Sequence, residues 1–343
     1  MNNSNLKFIA NQLGISASTV SRALNGKNGV KLETRERVLE AARRFNYIPN
    51  EVARSLQKSS TNTIAVVLPD ISEVFFGIIV KEIDKLAMQM GYMILLADTH
   101  EKVEQEQKYL DMLFERRIDA LVLATVCMDG HTVKRFVQSR RPVVCIDNIP
   151  QIEGVDAITI DNREASRIAV RHLIENGHKQ IAGVFGSLEE TTGIERYIGY
   201  TEALECAGIK SPDKELVEIG DYKWASGYRC MQNLLEKRKK HPFTAVYLTS
   251  EKMTFGALRA IEEAGLKIPE DISLIGFDIH DTEAYLSRKI VSVRQPEAAI
   301  GKKAGEVLFS KLMTENVQNE QYPGKHTFLS PYLQEGETVK KII

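Results

Sequence analysis

Several things are scarce in this chain of 343 residues, and each scarcity closes off a class of function. There are four cysteines, Cys127, Cys145, Cys206 and Cys230, far apart and with no CxxC pair. Such spacing predicts small buried apolar residues in a reducing compartment, not a disulfide framework or a metal site. No apolar run approaches the ~18 residues that a spanning helix needs. The longest, such as Ile64–Leu68, are strand-sized. The opening MNNSNLKF lacks the basic stretch and apolar core of a secretory signal, so a cytoplasmic protein with no membrane partner is expected. The motifs GxGxxG, GxxxxGKS/T, HExxH and GxSxG are missing. His100-Glu101 and His280-Asp281 read as polar loop pairs, so no catalytic residue, no metal and no cofactor are expected.

Net charge is scarce too. The 45 Lys+Arg nearly cancel the 46 Asp+Glu, which at face value argues against a nucleic-acid partner. The balance is uneven, however. Residues 1–60 hold ten Lys/Arg and four Asp/Glu, a net of +6, and the remainder carries −7. A small basic head therefore precedes a larger acidic body.

What is present follows that split. In the head, Leu6, Ile9, Ala10 and Leu13 keep helical spacing up to Gly14. Ser16 is placed to cap a second helix through Val20, Ala23 and Leu24, ended by Asn25-Gly26. A third helical pattern runs from Leu32 to Phe45, and residues 50–56 fit a short fourth. From Ile64 onward, short apolar runs alternate with helical segments, and the pattern repeats after about residue 161. Strands without polar alternation, separated by helices, predict parallel sheets covered on both faces. Two such sets predict two doubly wound lobes around a shared cleft.

The head spacing, with small Ala10, Gly14 in the turn and Val20 packing back, is that of a helix-turn-helix. The run Ile15-Ser16-Ala17-Ser18-Thr19-Val20-Ser21-Arg22-Ala23-Leu24-Asn25-Gly26 resembles the recognition helix of the lactose/galactose-repressor (LacI/GalR) family. Thr34-Arg35-Glu36-Arg37-Val38, Val52-Ala53-Arg54-Ser55-Leu56, Arg196-Tyr197-Ile198-Gly199-Tyr200, Gly276-Phe277-Asp278 and Val293-Arg294-Gln295-Pro296 extend the resemblance over the whole chain.

The resemblance implies a small all-α helix-turn-helix head and an α/β body of two doubly wound parallel-sheet lobes, of the periplasmic-binding-protein type I. The expected boundaries are 1–60 for the head, with a hinge helix over 50–58, and 61–343 for the body. Within the body, one lobe is expected over 61–160 plus 291–323, the other over 161–290 plus 324–343. The resemblance further implies a cytoplasmic repressor that binds near-palindromic double-stranded operator DNA as a homodimer. Ala17, Ser18 and Arg22 would read bases. Arg22 suits bidentate contact with a guanine. Thr19, Ser21 and Asn25 would position the backbone. Asn50, Ala53 and Leu56 would act from the hinge, with Leu56 as a minor-groove wedge. Phe75, Phe76, Asp147, Glu190, Thr192, Arg196, Tyr222, Ser250 and Asp278 would face a small-molecule effector, expected to be a carbohydrate. Glu190 stands where the purine-responsive branch has arginine, which disfavours a purine. Arg163 together with Arg196 would suit an acidic sugar, although Arg163 alone reads as an ordinary surface arginine. Lys31 departs from the Ser or Thr that commonly caps the third helix, at about 1 kcal/mol of head stability. A metabolite-binding protein or enzyme of the doubly wound class is the alternative.

Overall fold

The apolar spacing of the head becomes three helices in the computed structural model, which describes residues 6–25, 28–45, 47, 60–209, 214–280, 288–314 and 323–342. They are α1 (Leu6–Leu13), α2 (Ala17–Leu24) and α3 (Leu32–Arg44). Ile9, Ala10, Val20, Ala23, Val38 and Ala41 form their shared core. Gly14 takes φ +65° between α1 and α2, a conformation that costs glycine nothing. The Ser16 hydroxyl caps α2 by accepting from the Thr19 amide at 3.1 Å. Lys31 precedes α3 and makes no side-chain cap, as its chemistry dictates. The expected hinge helix, with Asn50, Ala53 and Leu56, lies outside the described residues.

The chain divides into two units, Met1–Thr61 and Asn62–Ile343. In the second, one lobe is built from β1 (Thr63–Leu68), α4 (Val74–Met90), β2 (Met93–Asp98), α5 (Val103–Glu115), β3 (Ala120–Leu123), α6 (Lys134–Gln138), β4 (Val143–Ile146) and β5 (Asp156–Ile160). The other follows with α7 (Asn162–Glu175), β6 (Ile181–Phe185), α8 (Thr191–Cys206), β7 (Val217–Ile219), α9 (Trp224–Lys237), β8 (Ala245–Leu248), α10 (Glu251–Glu263), β9 (Ser273–Phe277) and β10 (Val291–Arg294). Last come α11 (Glu297–Met313), β11 (His326–Leu329) and β12 (Tyr332–Gln334). The sheets run β11-β5-β4-β3-β1-β2 and β12-β10-β9-β8-β6-β7, the same order twice. Every pairing is parallel except the antiparallel edge β12 on β10. On β1, Ile64, Val66 and Leu68 enter one core while Ala65 and Val67 enter another. Burial on both faces is why the strand sequences show no alternation.

The lobe boundaries differ from expectation. β10 pairs with β9, Val291 against Ile275, so residues 291–294 belong to the second lobe, not the first. The chain crosses back only after Arg294, sending α11 onto α4. There Gly301 lets the helices approach: a Cβ would sit 2.5 Å from the Ile79 carbonyl. β11 then pairs with β5, so 326–329 belong to the first lobe, and β12 returns to the second. Three crossings therefore join the lobes. Strands β5, β11 and β12 were not expected from sequence. No helix among the described residues is long and apolar enough to cross a membrane.

Candidate functional site

Two regions carry the sequence-derived candidates. On α2, Ser18, Arg22 and Asn25 are exposed, while Ala17, Thr19 and Ser21 are half-buried. The helix packs inward through fully buried Val20 and nearly buried Ala23, which leaves the polar stripe outward. Ser16 Oγ lies 2.8 Å from both Ser18 Oγ and Thr19 Oγ1, and Asn25 Nδ2 donates to the Ser21 carbonyl at 2.9 Å. These bonds brace the helix ends and leave Arg22 as the long exposed cation of the face.

The second region is a cleft of about 660 Å³ where the strand ends of both lobes meet. All nine residues Phe75, Phe76, Asp147, Glu190, Thr192, Arg196, Tyr222, Ser250 and Asp278 line it. They follow β1, β4, β6, β7, β8 and β9, the ends at which doubly wound sheets place ligands. Asp147, Tyr222 and Asp278 hold φ values of 64°, 65° and 52°, left-handed turns that non-glycine residues rarely take. Gly186 leaves room for the Tyr222 ring, since a Cβ there would lie 1.9 Å from it.

Arg196 is buried and fixed on three sides. Its Nε donates to Asn162 Oδ1 and its Nη1 to the Thr249 carbonyl, each at 2.8 Å. The guanidinium lies 3.8 Å from the centroid of Phe277. Nη2 makes no hydrogen bond among the described residues. Asp278 accepts from the Gln295 backbone at 2.8 Å and from its amide Nε2 at 2.6 Å. Burial still outweighs these bonds and raises its carboxyl to about 6. The Tyr222 hydroxyl meets Thr192 Oγ1 at 3.0 Å. Arg163, in contrast, is absent from the cleft lining and pairs with Glu202 at 3.6 Å, so it does not converge with Arg196.

Sequence reasoning missed the residues that tie the lobes together. Asn148 Nδ2 donates to Glu190 Oε2 at 2.8 Å, and its Oδ1 accepts from Thr191 Oγ1 at 2.9 Å. Lys252 Nζ sits 2.5 Å from Asp70 and 3.4 Å from Glu73. Lys223 pairs with Glu101 at 2.7 Å. Each lies within two residues of one already singled out, Asn148 after Asp147, Lys223 after Tyr222 and Lys252 two after Ser250, so proximity to strand ends was the available signal. Burial raises Glu73 and Glu190 to about 7, with Lys252 and Asn148 respectively opposing the rise and Asp147 adding to it. The Asp147 carboxyl is pushed up by its own burial, against the pull of Arg196.

Residues 5–50 match the family described as "Bacterial regulatory proteins, lacI family", and 61–330 match "Periplasmic binding proteins and sugar binding domain of LacI family". The chain is 33% identical to catabolite control protein A of Priestia megaterium, over 91% of this chain and 93% of that one. It is 32% identical to the HTH-type transcriptional repressor PurR of Erwinia tasmaniensis, over 93% and 94%. Among solved structures, the lac repressor dimer bound to operator and the anti-inducer ONPF superposes with a TM-score of 0.82 at 25% identity, covering 98% of this chain and 99% of that one. A complex of the transcriptional regulator CelR with cellobiose gives 0.72 at 27%, covering 98% and 100%. With a helix-turn-helix ahead of a two-lobed cleft and matches that span both, the chain belongs to the LacI family of DNA-binding transcriptional regulators.

Proposed function

We propose that this regulator is a cytoplasmic repressor that works as a homodimer, one head on each half of a near-palindromic operator, and acts by binding, not catalysis. The observation that carries the reading is the outward stripe of α2, Ser18, Arg22 and Asn25, joined in one chain to a cleft that gathers nine candidate effector residues. Arg22 reads a base in the major groove, and Ala17 and Ser18 contribute to the same readout. Thr19, Ser21 and Asn25 set the helix against phosphates. Asn50, Ala53 and Leu56 complete the DNA contact from the hinge, on the strength of their sequence. In the cleft, Arg196 and Asp278 grip vicinal hydroxyls through charge-assisted bonds, and Tyr222 and Phe76 offer ring faces to a sugar. The solved relative that holds cellobiose supports a carbohydrate-like frame. Effector binding shifts lobe closure and, through it, the fraction of DNA-competent dimer.

The test is a mobility shift with DNA upstream of the protein's own gene. Salt-sensitive, sequence-selective binding is expected. Arg22→Ala should cost about 1–3 kcal/mol and relax preference at one position of each half-site. An unchanged sequence preference removes Arg22 from base readout, and no selective binding at any salt concentration overturns the reading.

A further inference from the structure

The cleft is strongly unbalanced in charge. Ten carboxyl side chains line it, against three Lys or Arg cations and His280, whose ring sits between Glu251 and Glu297. Two of the three Lys or Arg cations are paired with carboxylates inside the protein, and Arg196 is anchored on neutral groups, with its Nη2 left for a ligand. Lys252 holds Asp70 and Glu73, Lys223 holds Glu101, and Arg196 is bound by Asn162, Thr249 and the Phe277 ring. Arg163, the one further cation that the sequence suggested for an acidic ligand, is on Glu202 instead.

Asp147 and Glu190 are left without a cation in hydrogen-bond contact. No donor among the described residues bonds the Asp147 carboxylate, and Glu190 receives one neutral bond, from Asn148. The two belong to different lobes and repel each other through the cleft interior. Hydroxyl groups can donate hydrogen bonds to these oxygens but bring no charge to offset the repulsion. A phosphate or carboxylate ligand adds to it. A single ammonium placed between them relieves it and binds both lobes at once.

We propose that the effector carries a protonated amine on a sugar-like frame, and that Asp147 and Glu190 receive that amine while Arg196 and Asp278 hold the hydroxyls. This rests on the cleft being the effector site and names the chemical class of what fills it.

The test is titration calorimetry on the full chain with matched pairs: glucose and glucosamine, galactose and galactosamine, mannose and mannosamine, together with the 6-phosphates of the parent sugars. At least one amino sugar should bind about tenfold tighter than its neutral partner, with no binding of the phosphates. Glu190→Gln and Asp147→Asn should each bring the ratio within that pair close to one. Neutral sugars that bind as tightly as their amines, or phosphates that bind more tightly, overturn the amine assignment and leave the effector-cleft reading standing. A panel with no binder at all also overturns the amino-sugar assignment. Binding that survives unchanged in both Arg196→Met and Asp278→Asn overturns the effector-cleft reading itself.

Discussion

At the residue scale, His280 sits with its side chain 2% exposed between two carboxylates. Its Nε2 meets Glu297 Oε1 at 2.9 Å, its Nδ1 lies 3.3 Å from Glu251 Oε1, and its backbone amide donates to the same Glu251 oxygen at 2.6 Å. Arg294, 2.9 Å from Glu297, works against a second positive charge there. Burial disfavours the imidazolium, but the two carboxylates win and raise the pKa from 6.5 to about 9. A group whose folded pKa lies above its unfolded value stabilises fully below the unfolded one and loses that contribution as pH rises through the folded one. The body should therefore lose on the order of 2 kcal/mol from this site between pH 6.5 and 9. Calorimetric melting temperatures should fall over that window in the native chain, and His280→Gln should flatten the slope. A native curve that stays level would remove the imidazolium. Glu73 and Glu190 act in the same direction at lower pH. Their raised carboxyls keep protons that the unfolded chain releases, so their contribution is present below 4.5 and fades toward 7.

At the element scale, the helix starts show how much local chemistry decides. Ser16, Asp161 and Ser250 cap α2, α7 and α10 by accepting from backbone amides. Lys31 leaves the amides of α3 uncapped and sets a cation at its positive end. Lys31→Ser should add about 1 kcal/mol to the head. Hydrogen exchange of the α3 amides in the full chain should then slow about fivefold; no slowing would mean that α3 starts elsewhere. Legibility from sequence divides along the same line. The Ser16 cap, its lack at Lys31, Gly14 and the apolar strands are local signals and were readable, whereas the caps at Asp161 and Ser250 were not read as such. Strand β5 is fully buried, but its Asp156-Ala157-Ile158-Thr159-Ile160 is short and carries polar residues, so it lacks a continuous apolar run. Strands β11 and β12 are edges with half-exposed residues and gave still less. Which sheet β10 joins depends on pairing with β9, a tertiary choice that its own residues do not encode. The lobe-bridging pairs stayed hidden for a related reason: Lys252 and Asp70 are 182 positions apart.

At the scale of the whole molecule, the near-zero charge resolves into a head of +6 suited to phosphates and a body of −7. The body's negative charge collects partly in the cleft, where Lys252 offsets it and draws Asp70 and Glu73 of the opposite lobe toward α10. Lys252→Met should remove about 1 kcal/mol of closure and release repulsion between the acidic walls. Small-angle scattering of the ligand-free chain should show a larger radius of gyration. An unchanged radius would show that Asn148 and Lys223 hold the lobes closed without it. The threefold crossing also has a consequence for synthesis. Each lobe takes an edge strand, β11 or β12, from residues 326–334, after everything else in both sheets. A nascent chain that has emerged only as far as Thr314 has neither sheet complete, and the open edges of β5 and β10 offer unpaired amides and carbonyls to other chains. Both lobes must wait for the same few residues, so this body finishes folding as one event once residues 326–334 have emerged, and depends on protection until then.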